Sequence, residues 1–268
     1  ELEAALADLY ETEDAVAFVS GHATNVSTIS TLLDSSDLIL YDELAHNSLL
    51  TGTKLSKATA FAFRHNDLDN LEHLLRTHRR ASRNALIVVE GLYSMDGDIP
   101  DLPRLIELKQ RYGAWLMVDD AHGCGVLGRT GRGLAEHCGV DARKVDIWMG
   151  TLSKAYASCG GYIAGSNDLI KVLKYSAPGF VFSVGLPPSI TAAALAALRV
   201  VKREPERVQR LQENGALFLR EAHARGLDTG RAIGIGMLQI MVGAATRAAK
   251  LVTLMFNRGI STSLIIYP

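Results

Sequence analysis

The chain has 268 residues, room for one large domain and part of a second. Its 28 Lys and Arg stand against 29 Asp and Glu, a net charge of −1, so no basic field points to a nucleic acid or an anionic membrane surface. Cys124, Cys138 and Cys159 are odd in number and lack C-x-x-C spacing, which argues against a disulfide scaffold or a zinc site and fits a reducing cytoplasm. The longest apolar runs, such as Ala192–Leu198, are too short to span a bilayer.

The pattern predicts a helix over Glu1–Tyr10, a strand over Ala15–Val19, and a helix over Ala23–Leu33. A strand over Leu38–Tyr41 precedes a helix near Asn47–Leu55, and a strand over Ala58–Phe63 precedes a helix over Leu68–Arg80, with Asn66 as its candidate cap. Ala85–Glu90 reads as a buried strand, Pro103–Tyr112 as a helix and Trp115–Val118 as a strand. Strands over Val145–Gly150 and Gly161–Ala164 lead to helices over Asn167–Tyr175, Pro188–Arg203 and Glu206–Arg225. Two further strands, Leu238–Val242 and Ile260–Tyr267, flank a helix over Thr246–Arg258.

Strand–helix alternation over 15–175 predicts an α/β domain with a mainly parallel central sheet between helices. The large domain is placed at 1–187. Residues 188–268 are assigned to a linking helix and the start of a smaller α+β domain. The chain begins inside a helical pattern without an initiator Met and ends after a strand-like run, so it is expected to be a fragment.

Ligands of open parallel sheets bind beyond the carboxyl ends of strands, and that is where the polar clusters fall: Ser20–His22, Asp42-Glu43, Glu90, Asp119–His122 and Thr151–Lys154. A lone lysine after a strand is usually an inert surface group. Lys154, however, stands thirty-five residues after Asp119, a carboxylate that closes the apolar strand Trp115–Val118. A buried carboxylate needs a positive partner, and a protonated pyridinium is one. The eight histidines include no H-x-x-x-H pair, and the glycines at 123, 125 and 128 lack the helix start of a dinucleotide loop. His65-Asn66-Asp67 is read as helix capping.

The stretches Glu90–Asp98, Val118–Gly128 and Thr151–Tyr162 resemble the α-oxoamine synthase family, and the similarity runs from Glu1 to Tyr267. The resemblance implies the fold-type I architecture of pyridoxal-phosphate (PLP) enzymes, the aspartate aminotransferase type. It implies a decarboxylative Claisen-type condensation of a small amino acid with an acyl thioester, on CoA or an acyl carrier protein, giving an α-amino ketone. Lys154 would hold PLP as a Schiff base and then act as acid and base. Asp119 would pair with the ring nitrogen, His122 would bond the phenolic oxygen, and His46 would stack on the ring. Ser94 would lie near a cofactor oxygen, and Glu90 is either a site acid of the same motif or a structural carboxylate. Gly21 and His22, with Thr151, would bind the phosphate, and Ser183 would reach the phosphate of a neighbouring subunit, making a homodimer with active sites at the interface. An aminotransferase of the same fold, or a silent subunit of a heterodimeric synthase, are the rival readings.

Three residues depart from the family pattern: His22 replaces an aromatic, Ala157 a glycine, and Cys124 a Thr or Ser. The family's carboxylate-binding arginine is expected beyond Pro268, and its glycine-rich amino-terminal segment before Glu1.

Overall fold

Every residue of Ala85–Glu90 is buried, as a strand covered on both faces requires. It forms β4 of a seven-stranded sheet in a computed structural model that describes residues 1–266. The other strands are β1 (Asp14–Phe18), β2 (Leu38–Asp42), β3 (Thr59–Phe63), β5 (Trp115–Asp119), β6 (Ile147–Thr151) and β7 (Gly161–Gly165). Their order is β1-β7-β6-β5-β4-β2-β3, with β7 antiparallel to both neighbours and every other pair parallel. The expected mainly parallel α/β sheet is therefore present.

Side chains alternate across a strand, and the two faces of this sheet bury separate cores. Ala85, Ile87 and Val89 of β4, with Leu116 and Val118 of β5, face α1 (Leu2–Tyr10), α4 (Leu68–His78), α5 (Leu102–Tyr112) and α9 (Pro188–Arg203). Leu86 and Val88, with Met117 of β5 and Met149 of β6, face α2 (Gly21–Leu32), α3 (Asn47–Ser56) and α7 (Asn167–Ser176). Fully burying each such aliphatic side chain contributes about 1.5–3 kcal/mol before ordering costs. The same parity sends Asp119 to the α2 face and Asp120 to the α1 face.

Short polar residues start the helices as their chemistry predicts. Ser20 accepts a bond from Ala23 N–H at α2, and Asp101 one from Arg104 N–H at α5. At α4 the cap is Asp67, which accepts from Asn70 N–H, and not Asn66. Asn66 takes a left-handed conformation (φ 55°) and turns its amide to Asp98 and the Ile99 carbonyl. Short helices α6 (Leu134–His137) and α8 (Pro178–Val181) carry no clear period in the sequence.

After α9 come α10 (Glu206–Ala224) and α11 (Ala245–Phe256). The expected strand at Leu238–Val242 is not formed, nor is one over residues 260–266, and Tyr267 lies outside the described residues. A strand needs a neighbour to complete its ladder. Among the described residues neither segment has one, so alternation alone produced extended chain without a sheet. No helix among the described residues is long and apolar enough to cross a membrane.

Candidate active site

The carboxyl ends of β2, β4, β5 and β6 lie side by side, and the polar side chains gather there. The register sets Glu90 beside Asp119, the last residues of two neighbouring parallel strands. Lys154, three residues beyond β6, donates from Nζ to His122 Nε2 at 2.7 Å. Asp119 is buried, and two amides hold it: Asn25 Nδ2 at 2.7 Å and Ala121 N–H at 3.1 Å. Asn25 also donates to Ser48 Oγ at 2.9 Å, and Ser48 Oγ lies 2.7 Å from His46 Nδ1. His46 opens α3 as its cap, taking Ser48 N–H on the same ring nitrogen. One chain of hydrogen bonds thus runs His46–Ser48–Asn25–Asp119.

The charges follow from burial and these neighbours. Burial first, then the charges of Lys154 and His46, push His122 down to about 4. It is neutral at pH 7 and offers Nε2 as an acceptor. Surrounding protein lowers the Lys154 pKa, while Asp119 and Glu90 pull it back up. Burial and the neighbouring Asp119 charge raise Glu90 to about 8, against backbone N–H groups of His46 and Ser94. Burial also lowers His46, with Asp119 opposing and Lys154 adding to the fall.

These residues fit PLP. Asp119 is a buried carboxylate held by amides rather than by a cation, the environment a pyridinium completes. A lysine with a lowered pKa stands near it, on the turn that follows the neighbouring strand β6. The amino end of α2 supplies the N–H groups of Gly21 and His22, which a helix start leaves without internal partners. Thr151 closes in on that end: a Cβ added to Gly21 would meet Thr151 Oγ1 at 3.1 Å, so only glycine leaves the approach open. Thr151 Oγ1 itself bonds the Gly160 carbonyl and Ser153 Oγ, both at 2.9 Å.

Most expected residues therefore converge: Lys154, Asp119, His122, His46 and Glu90 by direct contact, charge or register, and Gly21, His22 and Thr151 at the α2 start. Ser94 sits half-buried in the turn after β4, with its N–H toward Glu90. The structure does not bring Ser183 into this cluster. It is exposed on the loop after α8, between Phe182 and Val184, which are 86% and 79% exposed.

Sequence reasoning passed over Asn25 and Ser48. Both are polar residues inside helices, with nothing local to separate them from ordinary helix surface, yet both are buried and link Asp119 to His46. Asp120 was also missed as a distinct group. It is fully buried on the opposite face, raised to about 7 mainly by burial, and it fills space left by Gly91, Gly123 and Gly133. Cys124 packs on that face too, against the hydroxyls of Tyr10 and Tyr162, so this departure from the family pattern does not touch Lys154. A groove of about 480 Å³ near Leu32, Trp115, Val145 and Leu169 lies at the other end of the strands and holds none of these residues. Among the described residues no group of three His, Cys, Asp or Glu could hold a metal ion.

A family model for class I and II aminotransferases matches residues 1–265. The 8-amino-7-oxononanoate synthase 1 of Bacillus velezensis is 41% identical over 268 residues, covering all of this chain and 68% of that protein. The 8-amino-7-oxononanoate synthase of Thermosipho melanesiensis is 42% identical with the same coverage. Among solved structures, a serine palmitoyltransferase from S. paucimobilis with a bound PLP–myriocin aldimine matches with a TM-score of 0.92 at 28% identity, covering 98% of this chain and 68% of that one. The 8-amino-7-oxononanoate synthase of Francisella tularensis matches with a TM-score of 0.85 at 27% identity, covering all of this chain and 77% of that one. The chemistry shared by these relatives is decarboxylative condensation of a small amino acid with an acyl thioester, and this chain carries out that class of reaction. The fold, the strand-end cluster and these likenesses agree: the chain belongs to the class I and II aminotransferase family, in its α-oxoamine synthase branch, and is a PLP-dependent acyltransferase.

Proposed function

We propose that this chain condenses alanine with a pimeloyl thioester, on CoA or an acyl carrier protein, to give 8-amino-7-oxononanoate. Identity supports that choice of substrates: it is 41–42% to synthases named for this product and 28% to the serine palmitoyltransferase. In balance, a carbon–carbon bond forms between the alanine α-carbon and the thioester carbonyl. The carbonyl–sulfur bond breaks and the thiol leaves. The bond from the α-carbon to its carboxylate breaks and CO2 leaves.

The observation that carries the reading is the contact of Lys154 Nζ with a neutral His122, next to an Asp119 fixed by Asn25. PLP, when bound, supplies the electron withdrawal that acidifies the α-carbon. Lys154 holds it and then moves a proton at that carbon, for which a lowered pKa suits its amine. Asp119 keeps the ring nitrogen protonated, and Asn25 and the Ala121 N–H hold its carboxylate in place. His122 accepts from Lys154 and stays uncharged, so it adds no like charge beside the amine. His46 would cover the ring, and Ser94 would stand near a cofactor oxygen. Gly21, His22 and Thr151 take the phosphate, joined by Ser183 from a second copy of the chain. The exposure of Phe182 and Val184 beside Ser183 supports a homodimer. We keep the domain boundary at 187/188, because the last strand ends at Gly165 and a long helix opens at Pro188.

Incubating the purified, PLP-loaded protein with alanine and pimeloyl-CoA tests this. Equal amounts of CO2 and free thiol are expected, and none from Lys154→Ala. Conversion to the pyridoxamine form with alanine alone, or turnover by Lys154→Ala, overturns it.

A further inference from the structure

His65 belongs to none of the groups above, yet its ring is enclosed between two carboxylates. Its side chain is 3% exposed. Nδ1 lies 2.9 Å from Asp42 Oδ1 and Nε2 lies 2.9 Å from Asp98 Oδ2. Carboxylates accept only, so both ring nitrogens donate, and the ring is a cation between two anions. Tyr93 packs edge-on against it, with ring centroids 4.5 Å apart.

The two carboxylates belong to two different turns. Asp42 ends β2 and organises the turn that leads to His46: Leu44 N–H donates to its side chain at 2.9 Å, and Ala45 N–H to its carbonyl at 2.9 Å. Asp98 closes the turn after β4: Tyr93 N–H donates to its carbonyl, and Gly97 N–H to the Tyr93 carbonyl, both at 2.9 Å, with Ser94 between. Asn66 fastens both, giving its backbone N–H to Asp42 Oδ2 and its side-chain amide to Asp98 Oδ2. Glu90 is influenced by both turns, since the backbone N–H groups of His46 and Ser94 each favour its charged form. A helix cap at Asp67 explains none of these bonds.

We infer that His65 is a positioning residue for the cofactor site, an imidazolium clamp that holds the turn bearing His46 against the turn bearing Ser94. This rests on the reading that His46 covers the ring of PLP. Because Asp42 is fully buried and Asp98 partly so against the ring, removing the cation leaves them facing each other without a counter-charge. The turns then lose their register, and with it the placement of His46.

PLP itself is the probe, titrated into purified protein and followed by the absorbance of the bound form, with melting temperature measured without PLP. His65→Ala is expected to weaken PLP binding about tenfold. In a double-mutant cycle, His46→Ala is expected to cost far less once His65 is gone, because one acts through the other. Lys109→Ala, which breaks the remote pair with Asp146, serves as the control: it is expected to lower the melting temperature with no change in PLP affinity. PLP affinity of His65→Ala within about twofold of the parent overturns the inference, as do losses at His65 and His46 that multiply independently. Should His65→Ala fail to fold, Asp98→Asn keeps the shape, removes one charge and is judged by the same two criteria. A parent that binds PLP no better than Lys154→Ala sinks the functional reading and the clamp together. A normal parent with an indifferent His65→Ala sinks the clamp alone.

Discussion

Asn25→Ala is the sharpest test of how the acid is held. The change removes the 2.7 Å bond to Asp119 and the 2.9 Å bond to Ser48 at once. A bond to a charged acceptor is worth about 1.5–3 kcal/mol and a neutral one about 0.5–1.5 kcal/mol, so the protein without PLP should lose about 2–4.5 kcal/mol. At a few degrees per kcal/mol for a chain of this size, the melting temperature should fall by about 5–15 °C. The cofactor should suffer as well. Asp119 would retain only the Ala121 N–H, and His46 would lose its link to the acid through Ser48. A loosened acid is expected to cost PLP about tenfold to a hundredfold in affinity, or about 1.4–2.8 kcal/mol. The assay is a PLP titration by absorbance beside thermal melts with and without PLP. A lower melting temperature with unchanged PLP affinity would refute the reasoning, because Asn25 would then be an ordinary buried amide of α2.

Ala157 takes a left-handed backbone (φ 45°) in the turn where its N–H donates to the Lys154 carbonyl, so Ala157→Gly should relieve strain of about 1 kcal/mol and raise the melting temperature by about 2–4 °C. Stability should also depend on pH through His65. Burial would lower its pKa, but the bonds to Asp42 and Asp98 raise it to about 9. A raised pKa gives stability that is fully present below about 6.5 and lost as pH climbs through about 9, with an upper limit of about 3 kcal/mol. Asp42, Asp98 and Tyr93 face the ring, and Glu43 takes its backbone N–H, so denaturant melts of His65→Ala should lack that alkaline loss. Burial and the neighbouring Asp119 charge raise Glu90 to about 8, which favours its protonated form. Glu90→Gln should therefore keep PLP affinity at pH 7 within about threefold, and a much larger loss in the same titration would mean the carboxylate acts as an anion.

The sequence by itself determined the layered architecture and pointed to Asp119 and Lys154 as the pair on which the proposed site rests. Apolar runs such as Ala85–Glu90 alternate with helical periods, and that pattern admits a layered α/β fold and little else. Asp119 and Lys154 were legible because one closes an apolar strand and the other follows the next by three residues, and strand ends of a parallel sheet share one edge. What lies within a few residues in the chain was readable, such as the helical period of Leu68–His78. The cap placed at Asn66 was off by one residue, since capping and a tertiary role compete for the same short polar side chains. Only the tertiary structure could join Asn25 to Asp119, ninety-four residues apart, or set His65 between Asp42 and Asp98. It also decided that Leu238–Val242 forms no strand, because pairing depends on a neighbour that no local pattern encodes. The division has one physical cause. Periodicity and burial are properties of a segment, whereas a hydrogen bond between distant segments exists only once packing has brought both partners out of water.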